Sequence, residues 1–177
     1  QYGQLGQGRS DDVFHEEMCR IAGNVVHVDT SQSGFTIYLT EEHELYGMGS
    51  DASDVLLSNT TPPSGDLREW EDTIVTSPVL LMEDVVYARC GRDDVAVLKE
   101  DGSLWTWGVA WAVSGAKYCR SAPVRLMEDV IFVTGGIYHH AALKEDGSLW
   151  TWGYNYTGNC GTDENIYIET PIRVADE

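Results

Sequence analysis

"LKEDGSLWTWG" spans Leu98 to Gly108, and the same eleven residues return from Leu143 to Gly153. A catalytic motif is rarely duplicated whole, whereas a structural unit that stacks on copies of itself often is. Extending both copies leftwards, Leu81–Gly108 and Leu126–Gly153 agree at 18 of 28 positions. A weaker copy lies upstream. In LTEEHELYGMG (Leu39–Gly49), Leu39, Glu41, Leu45 and Gly49 stand where Leu98, Glu100, Leu104 and Gly108 stand later. Before it, IAGNVVHV (Ile21–Val28) takes the place of LMEDVVYA. The units therefore close at Gly49, Gly108 and Gly153, with periods of 59 and 45 residues.

The variation is localised. Each closing glycine is followed by a proline after 29 (Pro78), 15 (Pro123) or 18 (Pro171) residues, whereas Pro78 and Pro123 each precede the next closing glycine by 30. A module of fixed length alternates with a loop of free length, as the slow growth of loop entropy with length permits. The chain thus reads as one repeat domain, 1–177, with units 1–49, 50–108 (a long insertion at 50–77) and 109–153, and a partial unit 154–177.

The fixed module reads as strands. VIFVTGG (Val130–Gly136) is a β-branched and aromatic run ended by glycines, and HHAALKE (His139–Glu145) is a second strand with small residues. Asp146-Gly147, like Asp101-Gly102, predicts a two-residue hairpin turn in which glycine supplies positive φ. SLWTWG (Ser148–Gly153) returns, with Leu149, Thr151 and Gly153 on one face and Trp150 and Trp152 on the other. PVRL (Pro123–Leu126) makes a fourth strand, its proline suited to an edge or strand start. Four short antiparallel strands per unit describe a propeller blade, and a neighbouring copy must cover the face that one blade cannot bury alone. The upstream copy has Glu42-His43 in place of Asp-Gly, so its hairpin is expected to be strained or differently turned.

Composition narrows the function classes. The chain is 42% hydrophobic, with six Trp, nine Tyr and 18 Gly, so it builds a core with many turns. Its net charge is −18, from 29 acidic and 11 basic residues, which disfavours nucleic acid and anionic membranes as partners. It fits a basic partner, or simply solubility. No apolar stretch approaches membrane-spanning length, and QYGQLGQG at the start is no signal peptide. Cys19, Cys90, Cys119 and Cys160 form no C-x-x-C pair, which argues against a zinc knuckle; disulfides and the compartment stay open.

The pattern resembles the regulator of chromosome condensation repeat. That family's Gly-Gln-Leu-Gly turn matches Gly3-Gln4-Leu5-Gly6 and, in part, Gly158-Asn159-Cys160-Gly161. Its Pro-x-x-Val start matches Pro171 to Val174, its strand motif matches Gly136, His139, Ala142 and Leu143, and its closing Trp-Gly matches Trp152-Gly153. Asp94 replaces the motif histidine in the second unit. The resemblance implies an all-β fold of propeller blades, seven to a ring in that family. About three and a half units are present here, so the chain reads as a fragment of a longer propeller, an open array, or one part of a ring completed between copies through residues 1–25 and 154–177. The near-identical adjacent units point to recent duplication, a habit associated with bacterial repeat proteins.

Each residue suited to chemistry has a structural reading. His139 and His140 are neighbours on a strand and point to opposite faces, so they do not share a metal; His139 reads as a packing residue and His140 as a surface one. Cys160, in the place of Leu5, reads as a small buried hydrophobe. KEDGS lacks the alternating ligands of a calcium loop and reads as a turn. Gly3–Gly8 lacks the lysine of a phosphate loop, and no nucleophile elbow occurs. Asn59-Thr60-Thr61 and Asn155-Tyr156-Thr157 are glycosylation sequons. Trp105, Trp107, Trp150 and Trp152 recur too regularly for a ligand cage and read, with Gly102, Gly108, Gly147 and Gly153, as the structural repeat.

Trp70 and Trp111 lie in the variable loops, outside the repeated frame. With Arg68 and Tyr118 they are the candidate partner-binding residues, because exposed aromatic and arginine side chains on loops make good binding centres. No catalytic residue, cofactor or metal is expected. The functional expectation is a non-catalytic protein–protein interaction scaffold. The alternatives implied by the resemblance are guanine-nucleotide exchange on a small GTPase and propeller-type enzyme inhibition.

Overall fold

The computed structural model describes residues 5–8, 19–51, 55–57, 74–111, 117–163 and 167–174. Among them, twelve strands form three four-stranded antiparallel sheets, each a meander paired in chain order. The first holds β1 (Val25–Thr30), β2 (Phe35–Thr40), β3 (Leu45–Ser50) and β4 (Ile74–Met82). The second holds β5 (Val85–Cys90), β6 (Asp94–Lys99), β7 (Leu104–Trp111) and β8 (Lys117–Met127). The third holds β9 (Val130–Gly135), β10 (His139–Lys144), β11 (Leu149–Tyr154) and β12 (Tyr167–Arg173). Pro78, Pro123 and Pro171 fall on β4, β8 and β12. These are outermost strands, where a residue without an N–H disturbs no ladder.

The repeated string builds the central hairpin of each sheet. Lys144 N–H donates to Ser148 C=O and Gly147 N–H to Lys144 C=O, both at 3.0 Å, and Gly147 has φ 82°. The loop therefore holds three residues, a type I turn followed by a bulge glycine, rather than the two expected from Asp-Gly. Asp146, at ordinary negative φ, is freed for another task. Its carboxylate accepts the Ser148 N–H (2.9 Å) and hydroxyl (2.5 Å), and Ser148 Oγ accepts the Trp150 indole N–H (2.8 Å). Asp101, Ser103 and Trp105 repeat the relay at the same distances. Those hydrogen bonds hold both aspartate carboxyls below their usual range. Every polar letter of DGSLW thus has a partner within its own hairpin.

The first sheet closes its hairpin in the same way without glycine. His43 sits at φ 63° and its N–H donates to Thr40 C=O at 3.1 Å, so the expected strain is real, of order 1–2 kcal/mol. Its imidazole meets Glu100 on the hairpin of the next sheet.

The sheets stack face to face through two joints. The first buries Phe35, Ile37, Leu39 and Leu45 of the first sheet with Val85, Ala88, Val95, Val97 and Trp107 of the second. The second buries Ala96, Leu98 and Leu104 with Val130, Val133, Ala142 and Trp152 of the third. Leu104 and Trp107 thus face opposite joints, as strand alternation requires. A backbone hydrogen bond marks each crossing: Val85 N–H to His43 C=O (2.9 Å) and Val130 N–H to Gly102 C=O (3.0 Å).

Candidate interaction face

One end of the three sheets gathers the loops of free length. The β1–β2, β5–β6 and β9–β10 loops lie there side by side. Ser31 Oγ donates to Arg92 C=O, Arg92 N–H to Ile137 C=O (2.9 Å), and the Arg92 guanidinium to the Tyr138 hydroxyl. Asp29 accepts the Cys90 N–H at 2.9 Å and pairs with Arg89 at 3.3 Å. Between these loops is a cleft of about 170 Å³ lined by Arg89, Arg92, Gly91, Gly136 and Ile137 among others. Burial, with Asp29 and Asp94 nearby, pushes the adjacent Cys90 thiol well above its ordinary value, which disfavours the thiolate.

Aromatic surface adjoins the cleft. Arg92 lies 5.7 Å from the centroid of Tyr138, Tyr138 meets Tyr154 edge-on at 5.9 Å, and Tyr154 stacks on Tyr156 at 6.0 Å. Tyr156 is 68% exposed. The closing glycine makes this packing possible: a Cβ on Gly153 would lie 2.4 Å from the Tyr138 carbonyl oxygen, and its φ is 104°.

The connections between third and fourth strands leave from the same end and differ from sheet to sheet. In the third sheet, Asn155 caps a compact turn, accepting the Cys160 N–H (2.8 Å) and donating to Thr162 C=O (2.8 Å). Asn155 is 6% exposed, so this sequon does not offer a free amide; Asn59 lies outside the described residues. Cys160 is fully buried, the part expected of it. In the first sheet, Asp51 and Leu56 repeat the arrangement at the same spacing, with Leu56 N–H donating to Asp51 at 2.6 Å. Val55 C=O then accepts the Trp107 indole N–H at 2.7 Å, plugging the first joint. The long insertion between Ser50 and Ile74, which pair with each other, is therefore rooted at this end.

The second sheet has a different connection. β7 and β8 run on past Gly108, pairing Val109 with Cys119, Ala110 with Tyr118 and Trp111 with Lys117. This extended hairpin brings Trp111 and Tyr118, two of the four candidate binding residues, to adjacent register positions. Arg68 and Trp70 lie outside the described residues. Trp107 and Trp152 are buried and Trp105 and Trp150 half-buried, all four in packing roles. His139 is half-buried, with Nδ1 3.2 Å from the Asn159 amide.

His140 does not lie on the surface. It is 1% exposed, stacked on Trp152 at 5.4 Å, with Nε2 3.0 Å from Asp94 of the second sheet. The strand alternation was read correctly, but both faces of β10 have packed neighbours. Its Nδ1 lies against Gly135 and has no hydrogen-bond partner among the described residues. Arg92, Tyr138, Asp94 and His140 were not selected as site residues from sequence. Their signal was present: all ten mismatches between the two long copies fall at 86–97 and 131–142, the strands and loops that build this end and the joints. Among the described residues, no group of three His, Cys, Asp or Glu is placed to hold a metal ion, and no helix is long and apolar enough to cross a membrane.

The family model for the Regulator of chromosome condensation (RCC1) repeat matches residues 130–161. This stretch carries the sequence pattern of that repeat. Solved structures extend the likeness to the whole set of sheets. Human WBSCR16 shares 24% identity over 86% of this chain and 40% of its own, with a TM-score of 0.67. Yeast RCC1 (Prp20), in its complex with Kap60, shares 20% over 86% of this chain and 37% of its own, TM-score 0.68. Prp20p from Saccharomyces cerevisiae, in a study of its binding to Gsp1p and histones, shares 19% over 86% and 39%, TM-score 0.68. The chain thus spans about two fifths of the length of these structures. At these identities the likeness concerns the fold: the three sheets are consecutive blades of a β-propeller. No curated protein sequence matches the chain.

Proposed function

We propose that the protein is a non-catalytic interaction scaffold that offers the loop end of its blades to a protein partner. The observation that carries this reading is the convergence at that end of the Arg92–Tyr138–Tyr154–Tyr156 cluster and the extended hairpin bearing Trp111 and Tyr118. Tyr, Trp and Arg are the side chains that most often dominate binding energy. Similar structures support it by the proteins they bind, Kap60 for one and Gsp1p and histones for the other. A net charge of −18 suits a partner with a basic surface by steering its approach.

Affinity capture compared between the wild type and an Arg92→Ala/Tyr156→Ala variant tests the reading. A partner should be retained by the wild type and lost from the variant, with the unfolding midpoint of the variant little changed. Equal capture by both proteins would remove the loop end as the binding face. Nucleotide exchange on a small GTPase is the second reading, favoured by the likeness to Prp20p and its Gsp1p binding. Acceleration of nucleotide release by the purified chain would establish it in place of a passive scaffold.

A further inference from the structure

The end of the strands away from the loops is built from the β2–β3, β6–β7 and β10–β11 hairpins and the turns that lead from one sheet to the next. Just inside it, the first strand of every sheet carries a bulge. The register between first and second strand shifts across Val26, Val86 and Ile131. The turn before each bulge is also the same, with Asn24, Asp84 and Asp129 at φ 53°, 59° and 58°. A bulge re-aims a side chain, and here it turns a β-branched apolar one outward each time. Val26, Val86 and Ile131 are 59%, 40% and 51% exposed. Val86 belongs to the middle sheet, which packs on a neighbour through both faces, so its exposure does not come from standing at an end of the stack.

The three bulges lie side by side. The rings of the residues that follow them, His27, Tyr87 and Phe132, are 4.7 and 5.8 Å apart across the two joints. Single exposed apolar side chains are ordinary on a protein surface, whereas a row of them marks a place that a partner covers. Charge says what kind of partner. Exposed acidic pairs frame the row: Glu83-Asp84 and Glu128-Asp129 lead into two of the bulges, and Glu100-Asp101 stands at the hairpin between them. The backbone holds them there. Val85 N–H reaches the hairpin of the first sheet at His43 C=O, Val130 N–H reaches Gly102 C=O, and Glu100 N–H donates to Asp84 C=O at 2.9 Å. The lysines beside them are already engaged, Lys99 with Asp84 at 3.2 Å and Lys144 with Asp129 at 3.4 Å. The apolar row therefore sits in a negative field.

We propose that this hairpin end is a second docking surface, and that its occupant is a basic amphipathic segment of a protein partner. Apolar side chains of that segment rest on Val26, Val86 and Ile131, and its lysines or arginines meet the acidic pairs on either side. Covering the row supplies affinity, and the charges set the approach and exclude acidic competitors. The inference is independent of the loop-end reading, because the two surfaces lie at opposite ends of the strands.

Calorimetric titration of the full chain with a short amphipathic peptide of leucine and lysine tests it. Binding should saturate. Val86→Ser combined with Ile131→Ser should weaken it at least about tenfold, through the loss of two apolar contacts. Glu83→Gln combined with Glu100→Gln should also weaken it and reduce its dependence on salt. All four side chains are exposed, so both variants should keep the wild-type circular dichroism. The Arg92→Ala/Tyr156→Ala variant of the loop end should bind the peptide as the wild type does. Absence of saturable binding would overturn the proposal. Equal affinity of the wild type and the Val86→Ser/Ile131→Ser variant would overturn it too, because the attraction would then be one of charge alone. Loss of binding in the Arg92→Ala/Tyr156→Ala variant would move the site to the loop end and overturn it as well.

Discussion

The first joint places Phe35 and Val95 in an apolar core; the second, at the same repeat positions, places Asp94 and His140 in contact. Around them the two joints agree: Leu45 and Leu104 are equally buried, as are Trp107 and Trp152, and the backbone crossings match to 0.1 Å. The stack therefore accepts two chemistries at one place, provided the change is made on both sides. Asp94 alone would be an uncompensated carboxylate against an apolar sheet, and His140 alone an imidazole with no acceptor. Together they satisfy each other, at the cost of desolvating both, and a pair of this kind favours specificity over stability.

The largest effect that would break the comparison is at the residue both joints share in kind. Trp107→Ala should cost about 3–5 kcal/mol in urea unfolding through lost packing, and it also strips the hydrogen bond that holds the Val55 plug. Trp105→Ala, two residues away and half-buried, should cost about 1–2 kcal/mol. Next comes the polar pair. Asp94→Phe and His140→Val should each cost about 1–3 kcal/mol, because each leaves a partner within the joint without its hydrogen bond. Asp94→Phe combined with His140→Val rebuilds the second joint in the image of the first, so the double variant should cost much less than the sum. A double-mutant cycle with additive losses would show that the pair is not coupled.

A smaller effect separates the two histidines of β10. Burial, with His140 adjacent, holds the His139 imidazole below its ordinary value. The unfolded chain then binds protons that the folded chain resists. Stability is full above the ordinary histidine range near ~6.5 and falls as the pH drops through it. His139→Gln should flatten that part of the stability–pH curve. The smallest effect lies at the hairpins: His43→Gly should add up to about 1 kcal/mol by relieving its left-handed backbone, less whatever the contact with Glu100 contributes. Gly102→His should move stability the other way, and thermal denaturation resolves both.

The blades were legible because their determinants are local. A hairpin relay such as Asp146–Ser148–Trp150 closes within five residues, and duplication displays it twice. The loop length was misjudged because Asp-Gly serves both a two-residue turn and the last two places of a three-residue one. His140 was placed at the surface because periodicity within one strand says which face a residue takes, not what packs there. The Asp51–Leu56 turn was hidden because a cap needs only a side-chain acceptor and a buried end, and those survive when every glycine of the motif is lost. Of the candidate binding residues, Trp70 and Trp111 are singled out in the sequence by lying outside the repeated frame. The Arg92–Tyr138 contact joins loops from two units, and no single-unit reading brings those together.

The measurement that tests the account most directly is urea unfolding of Leu45→Ala, Leu104→Ala and Leu149→Ala at one low protein concentration. The three leucines share one repeat position and differ only in whether a following sheet covers them. Leu45→Ala and Leu104→Ala should each lose about 2–5 kcal/mol, and Leu149→Ala less than about 0.5 kcal/mol. Equal losses for all three at low concentration would contradict the claim that each blade is stabilised by the blade that follows it.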